Sequence, residues 1–143
     1  MSRESRMLAG ILLVTIPTVM FGGATLLAHI VSNRPGYLDN PLRQSLWRAG
    51  HAHAGVYLVL SLVMLRYVDE ALLSAGWRWI ARLGAPVAAI LIPAGFFLSV
   101  LSPAATSTGP ALYLVYPGAL ALAAAVLALG IGLIRAARSG ARA

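Results

Sequence analysis

The sequence predicts an all-α fold, a four-helix transmembrane bundle whose N- and C-termini both face the cytoplasm. Its 143 residues are 59% hydrophobic and only 10% charged, whereas a soluble domain is about half apolar and about a quarter charged. The mean hydropathy is +0.82. The charged residues lie in gaps between long apolar runs, and a helix needs about 20 apolar residues to cross a bilayer. We therefore expect one integral membrane domain over residues 1–143.

Four apolar runs define the predicted helices, at about residues 7–31, 45–67, 80–101 and 111–134. The first run exceeds the apolar core of a signal peptide, and its end at Ser32 has no small-x-small cleavage site, so we expect it to be retained. Pro17 and Pro93 fall inside the first and third runs, where a lost backbone hydrogen bond favours a kink.

The connection after the first run is rich in turn-forming residues. Asn33–Tyr37 and Asp39–Pro41 both combine Pro with Asn or Asp, and these residue types favour tight turns. We expect this loop to form an ordered cap over the bundle.

The distribution of arginine gives the topology, because cytoplasmic segments of membrane proteins carry the excess of positive charge. Three arginines flank the first loop, namely Arg34, Arg43 and Arg48. The other eight lie at the termini and around the second loop: Arg3, Arg6, Arg66, Arg78, Arg82, Arg135, Arg138 and Arg142. This asymmetry places both termini in the cytoplasm. The expected location is the bacterial inner (cytoplasmic) membrane.

Composition excludes several kinds of site and partner. The formal net charge is +7, but the arginines flank apolar runs instead of forming a basic stripe. We interpret them as membrane-interface anchors and expect no nucleic acid partner. The absence of Cys from the sequence excludes disulfides, thiolate metal sites and c-type haem attachment. The expected partners are membrane lipid and, if the chain is an enzyme, a small apolar substrate.

The segment Arg48–Gly55 (RAGHAHAG) carries the candidate chemistry. It places His51 and His53 roughly 10 Å inside the second helix at 1.5 Å per residue, a depth at which ionisable groups are costly and usually functional. Positions two apart on a helix point about 200° from each other, so the two imidazoles cannot share a partner. The small neighbours, among them Ala49 and Gly50, are typical of a close-packing helix face.

Three interpretations of the two histidines stay open at this point. A neutral imidazole is a ligand for haem iron or another transition metal, and a flat macrocycle needs the missing side-chain volume. A proton-handling or substrate-binding His also fits, as does a purely structural pair. His29, near the outer end of the first run, adds two further alternatives. It either forms a bis-His haem site together with His51 or snorkels to the interface.

Two segments of the chain resemble a known family. Arg48–Gly55 resembles the second-helix Arg-Ala-His-Ser-Gly region of the styrene oxide isomerases and, more distantly, the Ala-His region of the hydroxylaminobenzene mutases. Gly95–Pro103 (GFFLSVLSP) resembles the family's Gly-Phe-Tyr-Leu segment followed by Ser-Pro. The two segments occur in the order that the family has.

The resemblance implies a four-helix membrane protein that assembles as a homotrimer and holds haem b between subunits through one second-helix His. In the family, ferric iron acts as a Lewis acid on an epoxide oxygen and opens the epoxide to a carbonyl product. Alignment on His-x-Gly gives the axial-ligand role to His53, whereas alignment on Arg-Ala-His with one inserted residue gives it to His51. We prefer His53 because that alignment needs no gap at Gly55. The other implied cofactor contacts are Arg48, Gly55 and Phe97, the last at the position of the family's third-helix Tyr.

The chain departs from the family in its polar pocket groups. The family has an Asn six residues after its ligand, where this chain has Val59 counted from His53, or Tyr57 counted from His51. The third span contains no acid at the place of the family's Asp. The resemblance therefore implies the haem cofactor more directly than it implies the reaction.

Tyr57 is the remaining catalytic candidate, because it lies four residues beyond His53 and hence on the same helix face. Arg48, Arg43 and Arg34 lie near the outer membrane edge, where they either pair with haem propionates or anchor the interface. Two functions stay open. One is an isomerase that converts a small apolar epoxide to a carbonyl compound; the other is a non-catalytic haem-binding redox or accessory membrane subunit.

Overall fold

The computed structural model describes residues 1–140 and consists of four long helices. Helix α1 spans Arg3–Val31, α2 spans Pro41–Tyr67, α3 spans Ala75–Ser99 and α4 spans Val115–Gly140. A short 3₁₀ helix at Pro110–Leu114 leads into α4. These 140 residues contain no strand, which confirms the all-α prediction. Arg142, used in the topology prediction, lies outside the described residues.

Three of the helical segments are long and apolar enough to cross a membrane by length and composition. They are α1, α3 and the segment Pro110–Gly140, and they indicate a membrane protein. Helix α2 is less apolar because it carries three arginines and two histidines along its length. A crossing by α2 and the orientation of the termini stay predictions.

Polar caps extend the helices beyond the apolar runs. The Ser2 side chain accepts a hydrogen bond from the Ser5 N–H at the start of α1, and Asn40 accepts one from the Arg43 N–H at the start of α2. Capping of this kind satisfies N–H groups that have no partner within the helix. Helices α1 and α2 therefore begin about four residues before the predicted spans. Helix α3 begins at Ala75 and ends at Ser99.

The helices pack in chain order, with α1 on α2, α2 on α3 and α3 on α4. Two glycines bring α3 and α4 together: a Cβ on Gly84 would lie 2.5 Å from Cβ of Ala125, and one on Gly118 would lie 2.8 Å from Cγ1 of Ile92. The buried core lies at the end that holds the N-terminus and the α2–α3 connection, which we call the inner end; it consists of Met64, Val68, Ala71, Ala81, Ala85, Ala125 and Leu129.

The first and third loops meet at the opposite, outer end and form the ordered cap expected from the sequence. The Asn40 side-chain amide donates to the carbonyls of Pro103 and Ala105 at 3.0 and 2.9 Å. The guanidinium of Arg43 donates to the carbonyl of Gly36 at 2.9 Å, and Gly36 adopts a positive φ of 73°. Since Gly reaches this conformation without strain, the turn brings the loop back over the helix ends.

A largely buried ion pair and its hydrogen bonds hold α1 at the inner end. Arg82 donates to Oδ1 of Asp69 at 2.8 Å, and the Ser2 N–H donates to Oδ2 at 2.6 Å. Arg82 also donates to the hydroxyls of Ser2 and Ser5. Burial raises the pKa of Asp69, but the hydrogen bonds from Ser2 and Arg82 outweigh it and lower this pKa from 3.8 to about 2.

Candidate functional site

His51 and His53 point to opposite sides of α2, as their spacing predicts. His51 faces α1: its Nε2 lies 2.9 Å from the position that a Cβ on Gly23 would take. His53 faces α3, where its ring meets the ring of Phe96 with centroids 5.3 Å apart. The two imidazoles therefore have separate surroundings.

The hydrogen bond of His53 fixes its tautomer. Nδ1 lies 2.7 Å from the backbone carbonyl of Ala49, one turn earlier in α2. Because a carbonyl oxygen only accepts, Nδ1 carries the proton and donates it. Nε2 then keeps its lone pair, the arrangement that metal-ligating histidines usually show. In this tautomer Nε2 is the ring nitrogen that can act as an acceptor or a ligand.

Aromatic rings surround His53 on two sides. Tyr57 lies one turn further along α2 with its ring centroid 5.3 Å from that of His53 and tilted by 67°. Phe96 lies on α3 at the same distance, tilted by 63°. The shared face of His53 and Tyr57 agrees with their i, i+4 spacing. The catalytic role of Tyr57 stays a prediction.

Phe97 contacts a different part of α2. Its ring covers Gly50, whose Cβ would lie 3.0 Å from Cε2, and it meets Trp47 with centroids 6.0 Å apart. Trp47 in turn donates from Nε1 to the Phe97 carbonyl at 3.3 Å. The ring beside His53 thus belongs to Phe96, whereas the family resemblance implied Phe97 as the cofactor contact.

Gly55 belongs to the His51 side of α2. A Cβ on Gly55 would lie 3.9 Å from Cγ1 of Val19 on α1. Gly55 and His51 line a groove of about 240 Å³ between the two helices, together with Ile16, Val19, Met20, Leu58 and Val59. The structure does not bring Gly55 to the face that carries His53.

The three outer arginines differ in their surroundings. Arg43 is buried, donates to the carbonyls of Gly36 and Leu101 and lies 4.0 Å above the Trp47 ring centroid. These contacts occupy the terminal nitrogens of its guanidinium. Arg48 and Arg34 are exposed, and pairing of either with a haem propionate stays a prediction.

His29 belongs to an aromatic cluster at the outer end. Its ring centroid lies 5.5 Å from that of Tyr37 and 6.0 Å from that of Trp47. Tyr37 is fully buried, and this burial raises the pKa of its phenol. The ring partners of His29 are therefore Tyr37 of the cap and Trp47 of α2.

Comparison with known proteins adds no relative. No family model, curated protein or solved structure matches the chain. The resemblance to the styrene oxide isomerases therefore stays a prediction that rests on the two segments quoted above.

Within residues 1–140, no group of three or more His, Asp or Glu side chains could enclose a metal ion. Haem iron differs from a bare ion because the porphyrin supplies four of its ligands and the protein needs to supply only one or two. A single imidazole with its Nδ1 proton bound to a carbonyl fits this requirement, and His53 meets it.

Proposed function

We propose that the protein is a haem b-binding integral membrane protein in which Nε2 of His53 is the axial ligand of the iron. The main support for the proposal is the 2.7 Å hydrogen bond from Nδ1 of His53 to the Ala49 carbonyl. This bond fixes the orientation of the ring and leaves Nε2 as the nitrogen that can bind the iron. His51 is the alternative ligand, on the α1 side, where its ring packs against Gly22 and Gly23.

The exposed face of α2 supports a site built between subunits. Ala52, Val56, Val59 and Val63 form a stripe along this helix that the single chain leaves uncovered. A small and apolar stripe of this kind allows close approach of a second helix or of a flat macrocycle. We therefore propose a homotrimer in which His53 of one protomer and apolar side chains of the next enclose the haem.

We extend the proposal to the isomerisation of a small apolar epoxide to a carbonyl compound. Bound ferric haem supplies a Lewis acid for the epoxide oxygen. Tyr57 offers a hydroxyl group on the His53 face that can donate a hydrogen bond to the substrate. Phe96 supplies an apolar wall that excludes water from the same face. The reaction is an isomerisation and needs no further reactant.

An absorption spectrum of the detergent-purified protein tests the cofactor. After haem-replete expression, we expect a Soret band and a pyridine haemochrome typical of haem b. His53→Ala should abolish the band or shift it strongly, while the matched control His51→Ala should leave it in place. A wild-type sample without the band refutes haem binding. Loss of the band only in His51→Ala transfers the ligand role to His51.

Electron transfer by a bis-His haem is the second candidate function. It needs His29 as the other ligand, but the rings that meet His29 are those of Tyr37 and Trp47. A low-spin, six-coordinate spectrum that changes in His29→Ala would favour this candidate. Perturbation of the spectrum by small added ligands would favour the isomerase, since it shows an open iron position.

A further inference from the structure

A groove at the inner end of the molecule lies far along the helices from the two histidines. It has a volume of about 360 Å³ and runs between the start of α3, the α2–α3 connection and the C-terminal half of α4, with Leu73, Trp77, Ala128 and Arg135 among its lining residues. A second groove of about 390 Å³ also contains Arg135, and it adds Arg138. Arg135 lines both grooves.

The spacing of residues on α4 explains the shape of the groove. Ala124, Ala128, Ile131 and Arg135 follow each other at intervals of four, three and four residues, so they share one helix face. The two alanines leave space in the part of the groove that lies along the helix. Trp77 covers one side and is 52% exposed. The result is an apolar channel with an arginine at its mouth.

The charge at the mouth is uncompensated within residues 1–140. Of the three acids at this end, Asp69 pairs with Arg82 and Glu70 with Arg66, and Glu4 lies in the first turn of α1 and lines neither groove. No carboxylate of the described residues forms an ion pair with Arg135 or Arg138. An apolar channel that ends in two cationic side chains is complementary to an amphiphile with an anionic head.

We propose that this groove binds an anionic phospholipid. One acyl chain lies against Trp77 and the alanine face of α4, and the phosphate accepts hydrogen bonds from Arg135 and Arg138. Basic clefts between transmembrane helices at the cytoplasmic side are typical sites for anionic headgroups. Guanidinium groups bind phosphate oxygens in a bidentate geometry, and Trp is favoured at the level of the headgroups.

Native mass spectrometry of the detergent-solubilised protein tests the proposal. The probes are phosphatidylglycerol and phosphatidylcholine with identical acyl chains, titrated separately. We expect tighter binding of phosphatidylglycerol, because only this lipid carries a net negative charge. Arg135→Gln should weaken phosphatidylglycerol binding about fivefold, the effect of one arginine near an anionic headgroup, and should leave phosphatidylcholine binding unchanged. Equal binding of the two lipids by the wild-type protein overturns the proposal.

Two further variants separate the groove from general surface charge. Arg66→Gln removes an exposed arginine at the same end that lies outside the groove, and it should retain phosphatidylglycerol binding. Ala124→Leu fills the channel and should weaken binding of both lipids. The proposal fails if Arg66→Gln loses as much affinity as Arg135→Gln, or if Ala124→Leu binds both lipids like the wild type. It also fails if soluble glycerophosphoglycerol, which has no acyl chain, competes as well as the intact lipid.

Discussion

At the scale of single residues, hydrogen-bond partners distinguish two ionisable groups, His53 and Asp69. Nδ1 of His53 donates to the Ala49 carbonyl, so the proposed ligand atom is the other ring nitrogen, Nε2. The side chain of Asp69 accepts hydrogen bonds from Ser2 and Arg82, and these bonds stabilise the fold. Both carboxylate oxygens of Asp69 have hydrogen-bond partners, whereas His53 forms its hydrogen bond through Nδ1 and not through Nε2.

The low pKa of Asp69 predicts an acid-sensitive contribution to stability. Because folding lowers this pKa from 3.8 to about 2, the stabilisation is fully present above pH 3.8 and decreases as the pH falls towards 2. Its size is about 2 kcal/mol, at about 1.4 kcal/mol for each pKa unit. Asp69→Asn should lose this amount at pH 7 and should flatten the pH dependence of unfolding between pH 4 and 2.

Reversible unfolding in mixed detergent micelles measures this effect. Glu70→Gln is the matched control, since Glu70 forms an exposed pair with Arg66 and exposed pairs contribute at most about 1 kcal/mol. Equal losses of unfolding free energy in the two variants would show that the pair of Asp69 with Arg82 stabilises the protein no more than the exposed pair does.

The residue pairs that helical spacing governs could be predicted from the sequence. The contact of His53 with Tyr57 and the separation of His53 from His51 both follow from the geometry of one helix. The choice between Phe96 and Phe97 could not, because it depends on how α3 is rotated about its axis relative to α2. Two adjacent aromatic residues give no signal in the sequence for that rotation.

Tyr57 gives a residue-scale prediction for the reaction. Tyr57→Phe keeps the ring that packs on His53 and removes only the hydroxyl group. If this hydroxyl orients the substrate, kcat/KM for the epoxide should fall by about tenfold or more, as expected when one hydrogen bond of about 1.4 kcal/mol is lost. The Soret band should be unchanged. Full activity of Tyr57→Phe would remove Tyr57 from the catalytic assignment.

At the scale of helices, apolar runs located the four elements and caps set their ends. The predicted spans began after the true starts of α1, α2 and α3, because Ser2, Asn40 and Ser74 are polar and lie outside any apolar run. In the sequence, the strongest sign of the close approach of α3 to α4 is the presence of glycine. It depends on which neighbour each glycine faces.

The contact between α3 and α4 predicts a large effect of one methyl group. A Cβ on Gly84 would meet Cβ of Ala125 at 2.5 Å, and neither helix can yield without moving its backbone. Gly84→Ala should therefore lower the free energy of unfolding by about 1–3 kcal/mol, the usual cost of overpacking. The measurement is again unfolding in mixed micelles.

Gly130→Ala is the control for this experiment. A Cβ on Gly130, also within a helix, would have nothing within 4 Å. Substitution of a helical glycine by alanine at an open position should raise stability by about 0.5–1 kcal/mol. If Gly84→Ala were as stable as Gly130→Ala, the interface between α3 and α4 would not be close-packed as described.

At the scale of the whole molecule, the helices form an open row that leaves apolar surface uncovered. Helix α1 packs on α2 at one edge of the row and α4 packs on α3 at the other, and the apolar window of α1 contains no buried residue. Lipid can cover such surfaces, but a macrocycle needs walls on both of its faces. One row of four helices offers His53 and Phe96 from one side only.

The proposed trimer predicts that the exposed stripe on α2 controls the oligomeric state. Val56 is 62% exposed in the single chain, and Val56→Trp would place a large ring where a second protomer approaches. Because a cyclic assembly repeats one contact until the ring closes, this substitution should convert the trimer to a monomer and reduce haem content. Leu120→Trp, at a position on α4 that is 72% exposed and outside the stripe, should remain a trimer. Native mass spectrometry reads both results, and omission of haem should also favour dissociation, since a ligand bound only by the assembly stabilises it. A wild-type monomer that retains haem would contradict the trimer and place the site within one chain.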